Sequence, residues 1–421
     1  MKNRRAELWL FGAVFAGYLA VSLLIPHLGG SPDDETAYRQ YAERLTHGHY
    51  ADDSTPESFL WRGPGLPLLL APFEAVDAPI GIPRLMPPLF LFAAVVLFYH
   101  LLCMRVSRSA ALVGAAALGL YYPFLRQVGY VYTEPPAILL VVLALYFWVQ
   151  RSNGAGNRAL VGAGLALGAL ALTRLEYGYV LLACLLVAVA AWLVGRGGAV
   201  RPARDGAAVC AIGLALCVPW LAYTYAKTDK VFYWSNSGSL SLYWMASPDP
   251  DDLGDPHVAA AVFTNPNLAS HRPLFRRLRT MDPVEADEEL RHIAREQIKD
   301  HPQRYARNLA YNTSRLILNF PFSFKQQTAA PLFYALPNAL LLVFGGLAIA
   351  ALARARRWWG LVMAPAVFGT VGFLAHVPVA GYPRYWFPIV PIAVWVAVLG
   401  ISELLARGVP PRPQLVEPAS P

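Results

Sequence analysis

The sequence is poor in charge, poor in cysteine and without a nucleotide-binding loop, and each scarcity narrows what the chain can be. Charged residues make up 15% of its 421 positions against 56% hydrophobic, and its mean hydropathy is positive. That balance is too apolar for a soluble globular protein of this length. The four cysteines, Cys103, Cys184, Cys210 and Cys217, all fall within apolar runs. They indicate neither a disulfide framework nor a zinc site and read as small buried hydrophobes. No Walker loop and no glycine-rich strand-to-helix turn is present, so nothing points to nucleotide binding. His257, His271, His292 and His301 show no metal-ligand spacing. The formal charge of +8 is spread over arginines at the ends of apolar runs and forms no basic stripe. Membrane topology explains it better than nucleic acid does.

What is present is a succession of apolar blocks near 8–26, 84–104, 110–125, 134–150, 159–173, 176–195, 206–223, 331–353, 359–377 and 386–406. Most have roughly the 17 to 23 residues with which a helix crosses a hydrocarbon core of about 30 Å. The expectation is an all-α polytopic membrane protein, a bundle of about ten transmembrane helices. The run after Met-Lys-Asn-Arg-Arg is longer than a signal-peptide core and lacks a small-residue cleavage site, so it reads as an uncleaved first span. The apolar stretch 66–72 is too short to cross and reads as interfacial or re-entrant.

Basic residues set the orientation. Lys2, Arg4, Arg5, Arg105, Arg108, Arg151, Arg158, Arg196, Arg201, Arg204, Arg354, Arg356, Arg357, Arg407 and Arg412 all fall on one side of the expected topology. By the positive-inside rule that side is cytoplasmic and holds both termini. The loop 27–83 and the segment 225–330 then face outward, in a bacterium from the plasma membrane toward the cell envelope. The chain accordingly divides into an N-terminal transmembrane module (1–224), the extracytoplasmic segment (225–330), C-terminal transmembrane helices (331–406) and a proline-rich tail (407–421) expected to be disordered. Within the outer segment, 231–244 is aromatic and β-prone around a Ser-Asn-Ser-Gly turn. Residues 287–318 show helical periodicity through Leu290, Ile293, Ala294, Ile298, Tyr305, Leu309 and Leu316, as expected of helices lying on the membrane surface over an outer cavity. Their charges, such as Arg291, Glu296, Lys299 and Arg307, read as solvated. No internal repeat is apparent.

The chemistry-bearing residues cluster at the outer ends of the spans. Ser31-Pro32-Asp33-Asp34 is a good helix start, with serine as cap and acids in the first turn, which by itself accounts for both carboxylates. Asp34, Tyr38, Ala42 and Leu45 nevertheless share one helical face, and a carboxylate at the mouth of a bundle can take a proton from an acceptor hydroxyl. Thr133-Glu134-Pro135-Pro136 opens a span in the same way. Glu134 reads either as part of a cap or as an acid lining a wet cavity, because an acid beside hydrocarbon is otherwise costly. Arg62, Arg174 and Arg384 lie on the outer side against the positive-inside bias, so each needs a partner: an acid such as Glu176, a lipid headgroup, or a bound anion. Trp61, Tyr233, Trp234, Tyr243, Trp244, Tyr382, Tyr385 and Trp386 suit an interfacial aromatic belt, from which one or two can stack on a sugar. Asn312-Thr-Ser is a weak match to a glycosylation sequon.

Taken in order, these segments resemble the GT-C superfamily of membrane glycosyltransferases, especially its protein mannosyltransferase and aminoarabinose transferase-like branch. Asp34-Glu35-Thr-Ala-Tyr38, with Ala42, Gly48 and Tyr50, resembles the first outer loop with its catalytic acid, and Arg62-Gly-Pro-Gly-Leu-Pro the proline motif that closes it. Thr133-Glu134, Leu172-Thr-Arg174, Pro219-Trp220 with Ser235-Asn-Ser-Gly238 and Leu242-Tyr243-Trp244, the stretch from Arg291 to His301-Pro302 and Tyr305, and Pro383-Arg384-Tyr385 with Pro388 and Pro391 are similar to the later motifs. The resemblance implies transfer of a sugar from a polyprenyl-phosphate donor to a hydroxyl of a lipid, glycan or protein acceptor outside the cytoplasm. It implies Asp34 as base, with Asp33 as the alternative, Glu134 as a positioning acid, and Arg174 and Arg384 at the phosphate. Glu35, Tyr38, Arg62, Tyr243 and Tyr385 complete the expected substrate-binding set. Members of this branch are generally regarded as needing no metal, and none is expected here, although Asp33, Asp34 and Glu134 could form a site. A flippase for a lipid-linked saccharide would use the same arginines, but it should also show acids or broken helices near mid-membrane, and no charged residue is visible deep in the spans, which favours the enzyme. A non-catalytic assembly subunit is the third reading.

Overall fold

The computed structural model describes residues 2–24, 33–51, 59–324, 332–355, 358–379 and 381–408. Among the described residues every regular element is helical and no strand is present. From the N-terminus, α1 (Lys2–Leu24) precedes two short helices, α2 (Asp33–Thr46) and α3 (Gly65–Glu74), which are followed by α4 (Met86–Cys103), α5 (Arg108–Gly119) and the single turn α6 (Tyr122–Leu125). Next come α7 (Glu134–Ser152), α8 (Asn157–Thr173), α9 (Glu176–Val194), α10 (Val200–Leu216) and α11 (Val218–Thr228). The polar segment after them carries α12 (Ser237–Met245), α13 (Ala259–Thr264), α14 (Arg272–Leu278), α15 (Pro283–Asp300) and α16 (Pro302–Leu318). Finally α17 (Leu332–Arg354), α18 (Trp359–His376) and α19 (Val390–Gly408) return to the bundle.

Each of the ten apolar blocks falls on a helix, but they do not all have spanning length. Seven described helices are long and apolar enough to cross a membrane, and the α10–α11 pair, bent by 50°, brings the number to eight. The bend follows from Pro219 in the first turn of α11, whose ring would strike the carbonyl of Ala215 in a continuous helix. The other two blocks, α5 with 12 residues and α8 with 17, reach only about 18 and 25 Å at 1.5 Å per residue.

Small residues let the bundle close. Helix α10 packs against both α8 and α9, and α17 against α19. A Cβ on Gly168 of α8 would stand 2.6 Å from the carbonyl of Gly213 in α10, so these backbones approach as only glycine allows. The polar segment builds its own core, in which Leu240, Tyr243, Trp244, Val262, Leu268, Phe275, Leu278 and Leu290 pack together. That core explains why the β-prone 231–244 stretch becomes a helix from Ser237. Leu240, Tyr243 and Trp244 sit at the three- and four-residue spacing that puts them on one buried face, and burial overrides strand propensity. The expected surface helices over 287–318 are present as α15 and α16. The Ser31-Pro32 cap and the tail from 409 lie outside the described residues.

Candidate active site

At the end of the bundle where α2, α7, α9 and α18 meet the polar segment, a cavity of about 820 Å³ opens. Its wall includes Asp34, Tyr38, Arg62, Glu134, Arg174, Glu176, His376, Arg384 and Tyr385. A larger cavity, about 960 Å³, lies within the bundle, but it is lined by residues such as Leu145, Trp148, Met363 and Phe368 and has no charged side chain. The polar cavity is therefore the candidate for chemistry.

Several local features aim these side chains. Gly63 and Gly65 flank Pro64 where the chain runs against the C-terminus of α8. A Cβ on the first would collide with the Leu172 carbonyl, and one on the second with Thr173. This contact brings Arg62 beside the arginine that follows α8, and the Tyr50 hydroxyl, 2.9 Å from the Arg62 carbonyl, holds it from the other side. Pro135 and Pro136 occupy the first turn of α7, where no amide hydrogen is needed. Thr133 does not cap that helix as its sequence position suggests. Its backbone is already helical, and its hydroxyl accepts from Arg174 Nη1 at 3.4 Å. On the far wall the Tyr382 hydroxyl donates to the Pro256 carbonyl at 2.8 Å. The Asn312 amide donates to the carbonyls of His376 and Val377 at 3.1 and 2.7 Å, so this buried sequon asparagine works as a clamp.

The charged groups form one alternating chain. Asp34 accepts from Arg62 through Oδ1 and from Arg384 through Oδ2. Arg384 Nε lies 3.9 Å from Glu134 Oε1, which accepts from Arg174 Nη1 at 2.8 Å. Arg174 Nε donates to Glu176 Oε1 at 2.8 Å, and His376 Nε2 stands 3.6 Å beyond. Three carboxylates thus meet three guanidiniums, and Glu134 and Arg174 are nearly inaccessible to solvent. Aromatic faces pack on the cations. Tyr38 and Trp61 pack on Arg62, and Tyr385 packs on both Arg174 and Arg384. Burial pushes the Asp34 carboxyl up, but Arg384 and Arg62 outweigh it and hold the group well below the usual carboxylate range.

Of the ten catalytic and substrate-binding residues expected from the sequence, seven, Asp34, Tyr38, Arg62, Glu134, Arg174, Arg384 and Tyr385, converge on this cavity. Two do not. Glu35, one helical step of about 100° from Asp34, is buried and accepts from Arg84 Nη2 at 2.6 Å and from the Val131 amide at 2.9 Å. It ties α2 to its neighbours and does not line the cavity. Tyr243 turns away into the polar segment's core, with its hydroxyl 2.6 Å from His271 Nδ1. The side chain of Asp33 lies outside the described residues. Sequence reasoning misses His376, a single histidine at the end of an apolar helix with no local signal. It also misplaces Arg291, expected on a solvated face, which pairs with Asp287 at 2.9 Å, donates to Ser239 and lines the cavity. The i,i+4 spacing of Asp287 and Arg291 is the available signal. Spacing alone gives the histidines no metal-ligand pattern, yet the fold places ligand atoms of Asp252, Asp255 and His257 within 4.8 Å of one another.

No family model and no curated protein sequence matches the chain. Solved structures do. The Archaeoglobus fulgidus oligosaccharyltransferase tethered to an acceptor peptide superimposes with a TM-score of 0.54 at 15% identity, covering 95% of this chain and 50% of that one. The archaeal oligosaccharyltransferase AglB in complex with an inhibitory peptide and a dolichol-phosphate gives 0.54 at 16% identity with the same coverage. ArnT from Cupriavidus metallidurans bound to undecaprenyl phosphate matches more weakly, with a TM-score of 0.39 at 16% identity over 92% of this chain and 77% of that one. The chain spans half the length of the oligosaccharyltransferase chains it matches. At these identities the likeness is one of fold alone, shared with the oligosaccharyltransferase structures.

Proposed function

We propose that this GT-C-fold chain is a glycosyltransferase that moves a sugar from a polyprenyl-phosphate-linked donor to an acceptor hydroxyl on the extracytoplasmic face of a membrane. The observation that carries the reading is Asp34, a carboxylate held between the Arg62 and Arg384 guanidiniums in a cavity at the end of an apolar bundle. Glycosyl transfer from a phosphate needs fixed positive charge for the departing phosphate and a base for the incoming hydroxyl. Both are adjacent here. The dolichol-phosphate bound in the AglB complex supports a lipid phosphate as the class of donor.

In the reaction, the acceptor hydroxyl gives its proton to Asp34 as its oxygen bonds to the sugar's anomeric carbon. The bond from that carbon to the phosphate oxygen breaks, and its electron pair leaves with the lipid phosphate. Arg384 and Arg62 take the phosphate charge, and their transfer from Asp34 to the incoming phosphate raises the proton affinity of the carboxylate at the moment a base is needed. Glu134 holds Arg174 and Arg384 in register. Tyr38 and Tyr385, packed on the guanidiniums, restrict how these move. The basic residues between spans orient the molecule with both termini cytoplasmic and this cavity outside. The chemistry assigned to the cavity uses no metal.

The test is transfer of radiolabelled sugar from a panel of polyprenyl-phosphate sugars in proteoliposomes, comparing wild type, Asp34→Asn and Asp33→Asn. Product from wild type and Asp33→Asn with none from folded Asp34→Asn is the expected result. Loss in Asp33→Asn alone would move the base to Asp33. Lipid binding without turnover of any donor would replace transfer by transport of the lipid-linked saccharide.

A further inference from the structure

Beside the cavity, and outside its chain of ion pairs, the loop Asp252-Leu-Gly-Asp-Pro-His257 gathers two carboxylates and an imidazole. Their ligand atoms lie within 4.8 Å of one another, and Asp252 and Asp255 are 1% and 2% exposed. The turn depends on Gly254, whose φ of +76° suits glycine and whose amide donates to Asp252 Oδ1 at 2.9 Å. Ser323 fixes the pair from the opposite side. Its amide donates to Asp255 Oδ1 at 2.7 Å, and its hydroxyl contacts both Asp255 Oδ1 and Asp252 Oδ1. The protein's close donors thus gather on Oδ1 of Asp252, while Oδ2 is buried and makes no hydrogen bond of good geometry among the described residues, with the Ser247 hydroxyl a neighbouring donor to this carboxylate. His257 Nε2 is equally without a hydrogen-bond partner there.

No arginine or lysine among the described residues stands within ion-pair distance of these acids, and the buried guanidinium of Arg315 acts on both only through its charge. Arg315 spends its Nη1 on the carbonyls of Leu253 and Pro321 at 3.0 and 3.1 Å and its Nη2 on Asn312 Oδ1 at 3.2 Å. Two carboxylates out of water, with one oxygen and an imidazole nitrogen left over, are costly without a cation. We propose that Asp252, Asp255 and His257 bind one divalent transition-metal cation, of the zinc or manganese class, that fastens the polar segment to the wall of the cavity. Two oxygens and one imidazole nitrogen suit those ions, whereas calcium and magnesium favour oxygen alone. Pro256, His257 and Val258 line the cavity, and the Pro256 carbonyl receives the Tyr382 hydroxyl two residues from Arg384. The cation is therefore a positioning device for that wall. The proposal stands independently of the glycosyl-transfer reading, because it is tested on metal content.

The full-length untagged protein, purified in detergent, is stripped with a chelator and offered Zn²⁺, Mn²⁺, Ca²⁺ and Mg²⁺ separately, with bound metal measured by mass spectrometry and unfolding followed by heating. We expect one equivalent of zinc or manganese with a raised melting temperature, and at least about tenfold weaker uptake in Asp252→Asn and His257→Ala, with His292→Ala binding as wild type. X-ray absorption on the metal-loaded wild type gives a second readout if those variants do not fold, and one imidazole among oxygen ligands is the expected signature. No stoichiometric uptake of any of the four ions, uptake of calcium or magnesium alone, unchanged uptake in Asp252→Asn, or sulfur or several imidazoles in the spectrum would each overturn the assignment.

Discussion

Two groups of carboxylates flank one cavity and are neutralised in opposite ways. Asp34, Glu134 and Glu176 alternate with Arg62, Arg384 and Arg174, so the chain supplies its own counter-charge. Asp252 and Asp255 are buried as an acidic pair whose fixed partners are a serine and a backbone amide. The environments pull the same residue type apart. Two guanidiniums hold the Asp34 carboxyl down against the effect of burial, whereas burial dominates at Asp252 and pushes it up. Arginines held on a carboxylate are preorganised for an anion that can displace it. Acids without such partners are neutralised by taking up a proton or by a cation from outside.

The sharpest way to break this comparison is Asp34→Asn. It is expected to lower sugar transfer by about 10²- to 10⁴-fold, the usual worth of a general base, measured as initial rate in proteoliposomes. A loss below about tenfold would remove Asp34 from the role of base. Next comes Arg174→Ala, which strips the counter-charge from Glu134 and Glu176. Thermal or denaturant unfolding should report about 3 to 5 kcal/mol of destabilisation, the cost of orphaning a buried ion pair. Glu134→Gln in the same chain should restore part of it, and a strictly additive double variant would show that the two groups do not act on each other.

Smaller effects sharpen the contrast. Arg384→Ala should weaken donor binding by about 10- to 100-fold, in line with about 1.5 to 3 kcal/mol for a hydrogen bond to a charged group. An unchanged KM for the donor would take Arg384 off the phosphate. In metal-free protein, Asp252→Asn removes a buried carboxylate that has no ion-pair partner, keeps an acceptor for the Gly254 amide and the Ser323 hydroxyl, and should leave stability within about 1 kcal/mol of wild type or raise it. The same substitution at Asp34 strands two arginines and should destabilise. Equal losses at both positions would erase the distinction. The smallest effect is on pH dependence. Because pairing depresses the folded pKa of Asp34, its contribution to stability is present above its unfolded value of about 4 and is lost as pH falls through the lower folded value. Melting temperatures recorded from neutral pH down to about pH 3 should fall less steeply in Asp34→Asn than in wild type. Identical slopes would assign the acid sensitivity to other groups.

Of the seven cavity residues named from sequence, Glu134, Arg62, Arg174 and Arg384 were legible because their chemistry contradicts their position, whereas Asp34, Tyr38 and Tyr385 were legible through a shared helical face and the order of motifs. An acid or an arginine at the end of an apolar run is costly unless it meets something, as Glu134 and Arg174 show. The errors occurred where a plausible residue type had no such tension. Glu35 and Asp34 are adjacent in sequence and equally acidic, and only the helix rotation sends one to the cavity and the other to Arg84. Tyr243 sits among aromatics that suit either a sugar or a core, and its neighbours Trp244 and Phe275 decided for the core. The β-prone stretch 231–244 turned helical from Ser237 because propensity does not say which face will be buried.

By itself, the sequence determined that this is an all-helical membrane protein whose polar chemistry lies at the ends of its spans. Burial of apolar length and the need to satisfy the backbone in lipid leave few alternatives. Tertiary structure alone decided which acid faces which base. Asp34 and Arg384 are 350 residues apart, and ion pairing depends on distances of a few ångström that no local pattern encodes. The same reason hid the Asp252, Asp255 and His257 cluster, whose spacing is ordinary until the Gly254 turn and Ser323 fold its ligand atoms together.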